Sequence, residues 1–336
     1  MVEKKYVIDK YTEFRFVNKD TTIIKTCKGR FILKGENISY GVQDISESFN
    51  SPKSLTDILK LKNKKYSEDS LKDLLEYFVD KRVVIDCEYL HEVTSYDRDF
   101  YEKVRYYELY GRNFKEIVDI VNSKKIGIIG NKEFVDCLLN EFIQAQLFIN
   151  FNILHTDSNE VIKKENLNIE NYVNTLENDL EKFIKCSDFV VVSSDYNDHY
   201  LFNEVNSACI NFEREWIRVM IDEDYAEIGP LFIPNKTCCY GCLNYRAESN
   251  MTEKEYIFNS FYKEKHNGKR PKGLYYSYFL NNFISSITNM EILRYLLAND
   301  SSIINGVFRI DAINYKVERE QVFKFSKCSS CSNREV

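Results

Sequence analysis

Three cysteines fall within five positions of the segment "TCCYGCLNYR", residues 237–246. Cys239 and Cys242 form a CxxC pair, and Cys328 and Cys331 form a second one. Two such knuckles supply four soft thiolates, the donor set of a tetrahedral zinc site closed to water and therefore structural. The pairs lie much farther apart than the halves of a zinc finger, so the metal would tie a distant tail segment back to the fold. A redox role is the competing use. It needs only one CxxC, opening a helix after a strand, and two separated pairs fit it poorly. Cys238 competes with Cys239 as a ligand, since either can be placed near Cys242. The remaining five, Cys27, Cys87, Cys137, Cys186 and Cys209, sit in or beside apolar runs and read as core.

The end of "KKIGIIG" (124–130) is the second place where chemistry could sit. A phosphate-binding turn after a first strand reads G-x-G-x-x-G, the second glycine admitting the phosphates and the third letting helix and strand pack closely. With Gly130 as the first glycine, Lys132 and Val135 occupy the other two positions and oppose both functions. Gly130 itself reads as a tight strand-end turn, and the expectation is that no nucleotide binds here. The four histidines form no spaced pair, which removes the ligands of a zinc hydrolase.

The elements that must hold these residues follow from pattern. The chain has 336 residues, 44% apolar and 29% charged, the make-up of a globular protein with two domains. A net charge of −6 opposes nucleic acid as a partner. No apolar run suits a membrane span or a signal peptide, so no membrane partner and a cytoplasmic location are expected. There, cysteines serve as metal ligands or core rather than disulfides.

Residues 1–90 read as one domain. Short strands at 13–18, 21–27 and 30–35 form a meander; helices at 40–49, 54–62 and 67–81 follow, and a strand at 82–89 closes a winged-helix pattern. Ser67 caps the third helix, whose Leu71, Leu74, Leu75, Phe78 and Val79 share one face. Its five acidic residues against two lysines are the wrong charge for reading DNA. Residues 91–123 form a charged, aromatic connector, helical up to Gly111. From 124 to 336, strands at 124–130, 149–157, 187–195 and 215–222 alternate with helices, the pattern of a doubly wound α/β sheet. The strand-like "AEIGPLFIP" (226–234), a long helix at 275–300 and late strands complete it. "KEKHNGKRPKG" (263–273) reads as a mobile surface loop.

Together, the winged helix, the degenerate glycines, "IGPLFIPNKTCCYGCLNYR" and the closing "CSSC" resemble the ubiquitin-activating-enzyme-like proteins of thiazole/oxazole-modified peptide biosynthesis. The nearest likeness is to the streptolysin-type C component, the leader-peptide-binding protein of a cyclodehydratase. The resemblance covers essentially the whole chain. Its most specific parts are Ile228-Gly229-Pro230, the Cys239–Leu243 knuckle with Arg246, and the final CxxC.

It implies a scaffold in bacteriocin or toxin biosynthesis, not an enzyme in its own right. A precursor's leader peptide would add as a strand along Arg30, Phe31, Ile32, Leu33 and Lys34, beside the helix begun by Ser67, with Leu71 and Leu75 lining the cleft. A YcaO subunit would carry out the ATP-dependent heterocyclisation of Cys, Ser and Thr, with a flavin dehydrogenase as a further partner, and the chain would form a homodimer. The sheet domain would be a Rossmann-like, ubiquitin-activating-type relic with structural zinc. Its retired nucleotide site would comprise Gly130, Lys132, Asp157 at the ribose position and Asp195 at the metal position. "ENLNIEN" (165–171) places Ile169-Glu170 where Arg-Gln is expected, which also argues against ATP on this chain. The alternative is an active enzyme that adenylates a peptide C-terminus.

Overall fold

The computed structural model describes residues 4–62, 67–147, 150–157, 160–165, 167–172, 176–222, 224–253 and 277–332. The segment 263–273 lies outside them. The chain divides into two compact units, Met1–Ile117 and Val118–Val336.

The first unit is rich in β-structure. Strands β1 (Lys5–Ile8), β2 (Glu13–Asn18), β3 (Thr21–Thr26) and β4 (Gly29–Lys34) precede helix α1 (Ile38–Ser48). Then come β5 (Lys53–Ser54), α2 (Leu55–Lys62), α3 (Glu68–Asp80) and β6 (Val84–Asp86). The meander forms, in the order β2-β3-β4, which leaves β4 as an edge. Alternation in β3 turns Thr22, Ile24 and Thr26 inward and Lys25 outward. The closing strand does not return to this sheet. β6 pairs instead with β1, a strand the sequence reading passed over, in a second sheet ordered β5-β1-β6. It is also shorter than the expected 82–89. The Asp86 carboxylate accepts the Glu88 N–H at 2.9 Å and starts helix α4 (Cys87–Thr94).

The face of α3 expected to line an open cleft is instead core. Leu71 and Leu75 are 1% and 2% exposed and pack with Ile24, Val42, Ile45, Phe49 and Phe78. Helix α5 (Arg98–Arg105) and a 3-10 turn (Tyr106–Tyr110) belong to this unit. Arg105 pairs with Asp9 and lies 3.9 Å over the Tyr11 ring, while Glu108 binds both Arg82 and Tyr89. Gly111, with φ of 86°, ends this stretch, but helix α6 (Phe114–Ser123) resumes beyond the expected boundary.

The second unit is an eight-stranded sheet flanked by helices. Its parallel part comprises β7 (Lys125–Gly130), β8 (Asn150–His155), β9 (Asn168–Tyr172), β10 (Phe189–Ser194) and β11 (Glu215–Asp222). Helices α7 (Lys132–Ala145), α8 (Leu176–Lys185) and α9 (His199–Phe212) link them. The stretch between β8 and β10 thus contributes strand β9 as well as α8. The antiparallel β12 (Tyr225–Phe232), β13 (Gly306–Asp311) and β14 (Lys316–Gln321) extend one side, giving the order β14-β13-β12-β11-β10-β7-β8-β9. Helix α10 (Tyr240–Asn250) carries the first cysteine knuckle, and α11 (Tyr278–Ala298) packs on α7. Strands β7 after Lys125 and β10 up to Val192 are apolar and buried because helices cover both their faces. The chain steps from β7 to β8 on one side and returns to β10 on the other. This reversal opens a crevice at the strand C-termini, where doubly wound sheets bind ligands. Among the described residues, no helix is long and apolar enough to cross a membrane.

Leu71→Ala or Leu75→Ala should each destabilise the first unit by about 2–5 kcal/mol. Ile32→Ala, at a position 61% exposed on β4, should change stability by no more than about 0.5 kcal/mol in urea unfolding. Equally small effects at all three positions would return the leucines to an open cleft.

Candidate functional site

The crevice is built around the end of β7. Asn131 follows Gly130 directly and caps α7, its side-chain oxygen accepting the Phe134 N–H at 2.9 Å. Its amide nitrogen donates to Asp195, just beyond β10. On the other side of β7, Asp157 accepts the Lys132 backbone N–H at 3.1 Å. The Thr156 N–H donates to the Gly130 carbonyl at 2.9 Å, holding the ends of β7 and β8 together. Gly130, Lys132, Asp157 and Asp195 therefore converge on the N-terminus of α7, whose dipole favours anions. The Lys132 side chain turns toward Glu160 and forms an ion pair there.

Gly130 serves packing rather than a turn: it lies within β7 and is absent from the positive-φ residues. A Cβ at this position would collide with Ser193 Oγ, and Val135, buried in the core, lies 3.6 Å from the same point. His155 pairs in register with Gly130 and is 3% exposed. Burial holds its imidazole below the usual histidine value, which favours the neutral form. Among the described residues, no group satisfies either His155 nitrogen or Ser193 Oγ. Unpaired buried polar atoms cost about 1–3 kcal/mol each, and their clustering at a crevice fits a polar ligand.

On β11, Arg218 is buried and binds Glu227 of β12 through Nη1 at 2.6 Å. Glu227 also accepts from Arg309 Nε at 3.1 Å and Tyr225 OH at 2.9 Å. Burial alone would raise the Glu227 carboxyl; Arg218 and then Arg309 outweigh it and hold the group below its ordinary value. Sequence reasoning missed Asn131, His155, Ser193 and Arg218. Two left a signal: an Asn directly before a periodic helix is a capping pattern, and Arg218 interrupts the apolar run "EWIRVMID".

Cys239, Cys242, Cys328 and Cys331 come together with their sulfurs all within 4.8 Å. The Cys239–Cys242, Cys239–Cys328 and Cys242–Cys331 separations are 3.8, 3.5 and 3.6 Å. Spokes of ~2.3 Å give a tetrahedron edges of ~3.8 Å, so the set fits a four-thiolate metal ion. These distances far exceed the ~2.05 Å of a disulfide. Cys238 is outside the group, in the apolar cluster, where burial pushes its thiol up to about 12. Within the group, the hydrogen bond with Cys239 and the Phe325 N–H pull the Cys242 thiol down, against burial. Its bond to Cys242 and burial push Cys239 up. Four thiols this close cannot all ionise without a cation. Gly241 lets the tail approach: a Cβ there would lie 2.8 Å from Ser330 Oγ and 3.2 Å from Cys328 Sγ. Of the residues expected to bind peptide, Arg30, Ile32 and Lys34 are exposed on β4, Phe31 and Leu33 are half-buried, and Ser67 caps α3.

Gly130→Ala should lower stability by about 1–3 kcal/mol, and adding Ser193→Ala should restore most of it in thermal melting. A freely tolerated alanine would mean that strand spacing here is not set by that contact.

No curated protein matches the sequence significantly. Among solved structures, E. coli MccB aligns over 99% of this chain and 98% of its own, with a TM-score of 0.75 and 18% identity. E. coli MccB with ATP covers 98% and 100%, at 0.71 and 18%. The microcin C7 biosynthetic enzyme MccB in complex with N-formylated MccA covers 97% and 99%, at 0.71 and 17%. At such identity the likeness establishes a shared fold. It overturns the reading as a streptolysin-type C component, a non-catalytic scaffold of a thiazole/oxazole cyclodehydratase. The end-to-end matches are to a biosynthetic enzyme, with nothing to support a YcaO subunit or a flavin dehydrogenase as partners. The expectation that ATP is excluded falls with it, because this fold has been seen holding ATP. The ThiF family matches residues 160–333, more than half of the chain and most of the doubly wound unit. On that match the chain belongs to the ThiF family.

Proposed function

We propose that this chain is an ATP-dependent enzyme that adenylates a carboxyl group of a peptide. The observation that carries the reading is the convergence of Gly130, Asn131, Asp157 and Asp195 at the order reversal of the sheet. The end-to-end likeness to MccB with ATP and with MccA supports it. In the reaction a carboxylate oxygen of the peptide attacks the α-phosphorus of ATP. The bond from that phosphorus to the bridging oxygen breaks, and pyrophosphate leaves with the electron pair. The products are an acyl adenylate and pyrophosphate.

This chain's part is orientation and charge. The N-terminus of α7, held to β10 through Asn131, turns the positive end of its helix dipole toward phosphate oxygens. Asp157, bonded to the Lys132 amide, sits where a ribose hydroxyl would donate to it. Asp195 would hold Mg²⁺, which offsets charge developing on the leaving pyrophosphate. His155 and Ser193 keep polar atoms in reserve at the same place. In this reading the first unit is a winged-helix peptide reader, and the free edge of β4, Arg30–Lys34, receives the substrate as an added strand, with Arg30 and Lys34 meeting acidic positions.

The four-cysteine site takes zinc in this reading, and its role is architectural. Cys239 and Cys242 open α10, whereas Cys328 and Cys331 belong to the tail, so the ion staples one to the other. Arg246 Nε donating to the Phe323 carbonyl at 2.7 Å supports the same attachment.

Calorimetry should detect ATP·Mg²⁺ binding, and peptide-dependent exchange of pyrophosphate into ATP should fall by about 10²–10³-fold in Asp195→Asn. Absence of binding at millimolar nucleotide, or undiminished exchange in the variant, would retire the enzyme reading. Elemental analysis should find one zinc per chain, lost in Cys328→Ser together with about 3 kcal/mol or more of stability. Folded protein free of metal would end the zinc assignment.

A further inference from the structure

The loop from Asp195 to Asp198 joins β10 to α9 and is gripped from two directions. Asn131 holds it at Asp195. At its other end is a ring of hydrogen bonds that the adenylation chemistry does not use. Asn197 Nδ2 lies 3.2 Å from His199 Nε2, and the Tyr240 hydroxyl lies 2.8 Å from His199 Nδ1 and 3.4 Å from Asn197 Oδ1. With the His199 ring proton on Nδ1, the three side chains can close a ring. Asn197 donates to His199, His199 donates to Tyr240, and Tyr240 donates back to Asn197. Arg218 Nη2 donates to the same Asn197 oxygen at 3.3 Å.

Tyr240 is buried and lies between two of the four clustered cysteines, directly after Cys239 and two residues before Cys242. Its backbone N–H donates to Asn206 Oδ1 on α9 at 3.0 Å, and its ring packs 5.4 Å from Phe202. The position of its hydroxyl is thus set by the turn that the cysteines define. We infer that Tyr240 is a positioning residue coupling the four-cysteine site to the Asp195 loop. Metal held by the knuckle fixes Tyr240, Tyr240 fixes Asn197, and Asn197 holds the loop that presents Asp195 to the crevice. Linkage makes this reciprocal: a ligand that orders the loop also tightens the knuckle. The consequence for nucleotide rests on the reading of the crevice as an ATP site.

The test compares wild type, Tyr240→Phe and a control, Tyr245→Phe, which alters the same helix on its partly exposed side near Ser329. Metal content, hydrogen exchange over residues 195–199 without nucleotide, and ATP·Mg²⁺ affinity are read on each. Tyr240→Phe should keep its metal, exchange faster across the loop and bind ATP·Mg²⁺ about tenfold more weakly, the effect of one lost buried hydrogen bond. Chelating the metal from wild type should produce the same exchange change, and Tyr245→Phe should match wild type. Wild-type exchange and affinity in Tyr240→Phe would overturn the coupling. If exchange responds but wild type itself binds no nucleotide, the coupling stands and the ATP reading falls. Should Tyr240→Phe not fold, Asn197→Ala removes the same contact from the loop side, with the same two readouts.

Discussion

Pairing of β7 with parallel strands on both sides is the constraint from which the rest of the second unit follows. A strand paired at both edges and covered on both faces must be apolar, and after Lys125 the run "IGIIG" meets that condition with its final glycine under Ser193. Because β8 and β10 leave β7 in opposite directions, the loops that follow them diverge over its C-terminal end. Asp157 and Asp195 thereby come to opposite sides of one helix N-terminus, although well separated in sequence. No local interaction could bring these carboxylates together; strand order does.

The four cysteines impose a second long-range constraint, of a different physical kind. Hydrophobic burial holds the sheet without direction, whereas four thiolates around the proposed ion would fix distances and angles. The cluster brings α10 and the tail together, and Tyr240, between its cysteines, reaches the loop after β10. The cysteine cluster and the Asp195 loop are linked through Tyr240 and Asn197, with Arg218, Glu227 and Arg309 as a charged flank.

The degenerate glycine pattern misled because the motif assigns the glycines to phosphate approach. In this fold Asn131 caps the helix immediately, and Lys132 directs its side chain to Glu160 rather than across the helix end. Its backbone N–H still faces the crevice, bonded to Asp157. Loss of a glycine therefore need not close the site. The charge and the caps around it matter more, and those reside in Asn131, Asp157 and Asp195.

Sequence by itself determined the strand–helix alternation after residue 124, the meander at β2–β4 and the two CxxC pairs. Each is written in local periodicity or spacing, where neighbours along the chain determine the outcome. It left Cys238 and Cys239 as rivals, because only the turn into α10 decides which sulfur faces the tail. It placed Leu71 and Leu75 on the right face of a helix but could not say whether that face met a ligand or the core. It missed β1, since a four-residue strand becomes visible only when β5 and β6 pair with it. The assembly of Asn131, His155, Ser193 and Arg218 was decided by tertiary structure alone. Strand register and burial, set by partners distant in the chain, turn ordinary polar residues into a site.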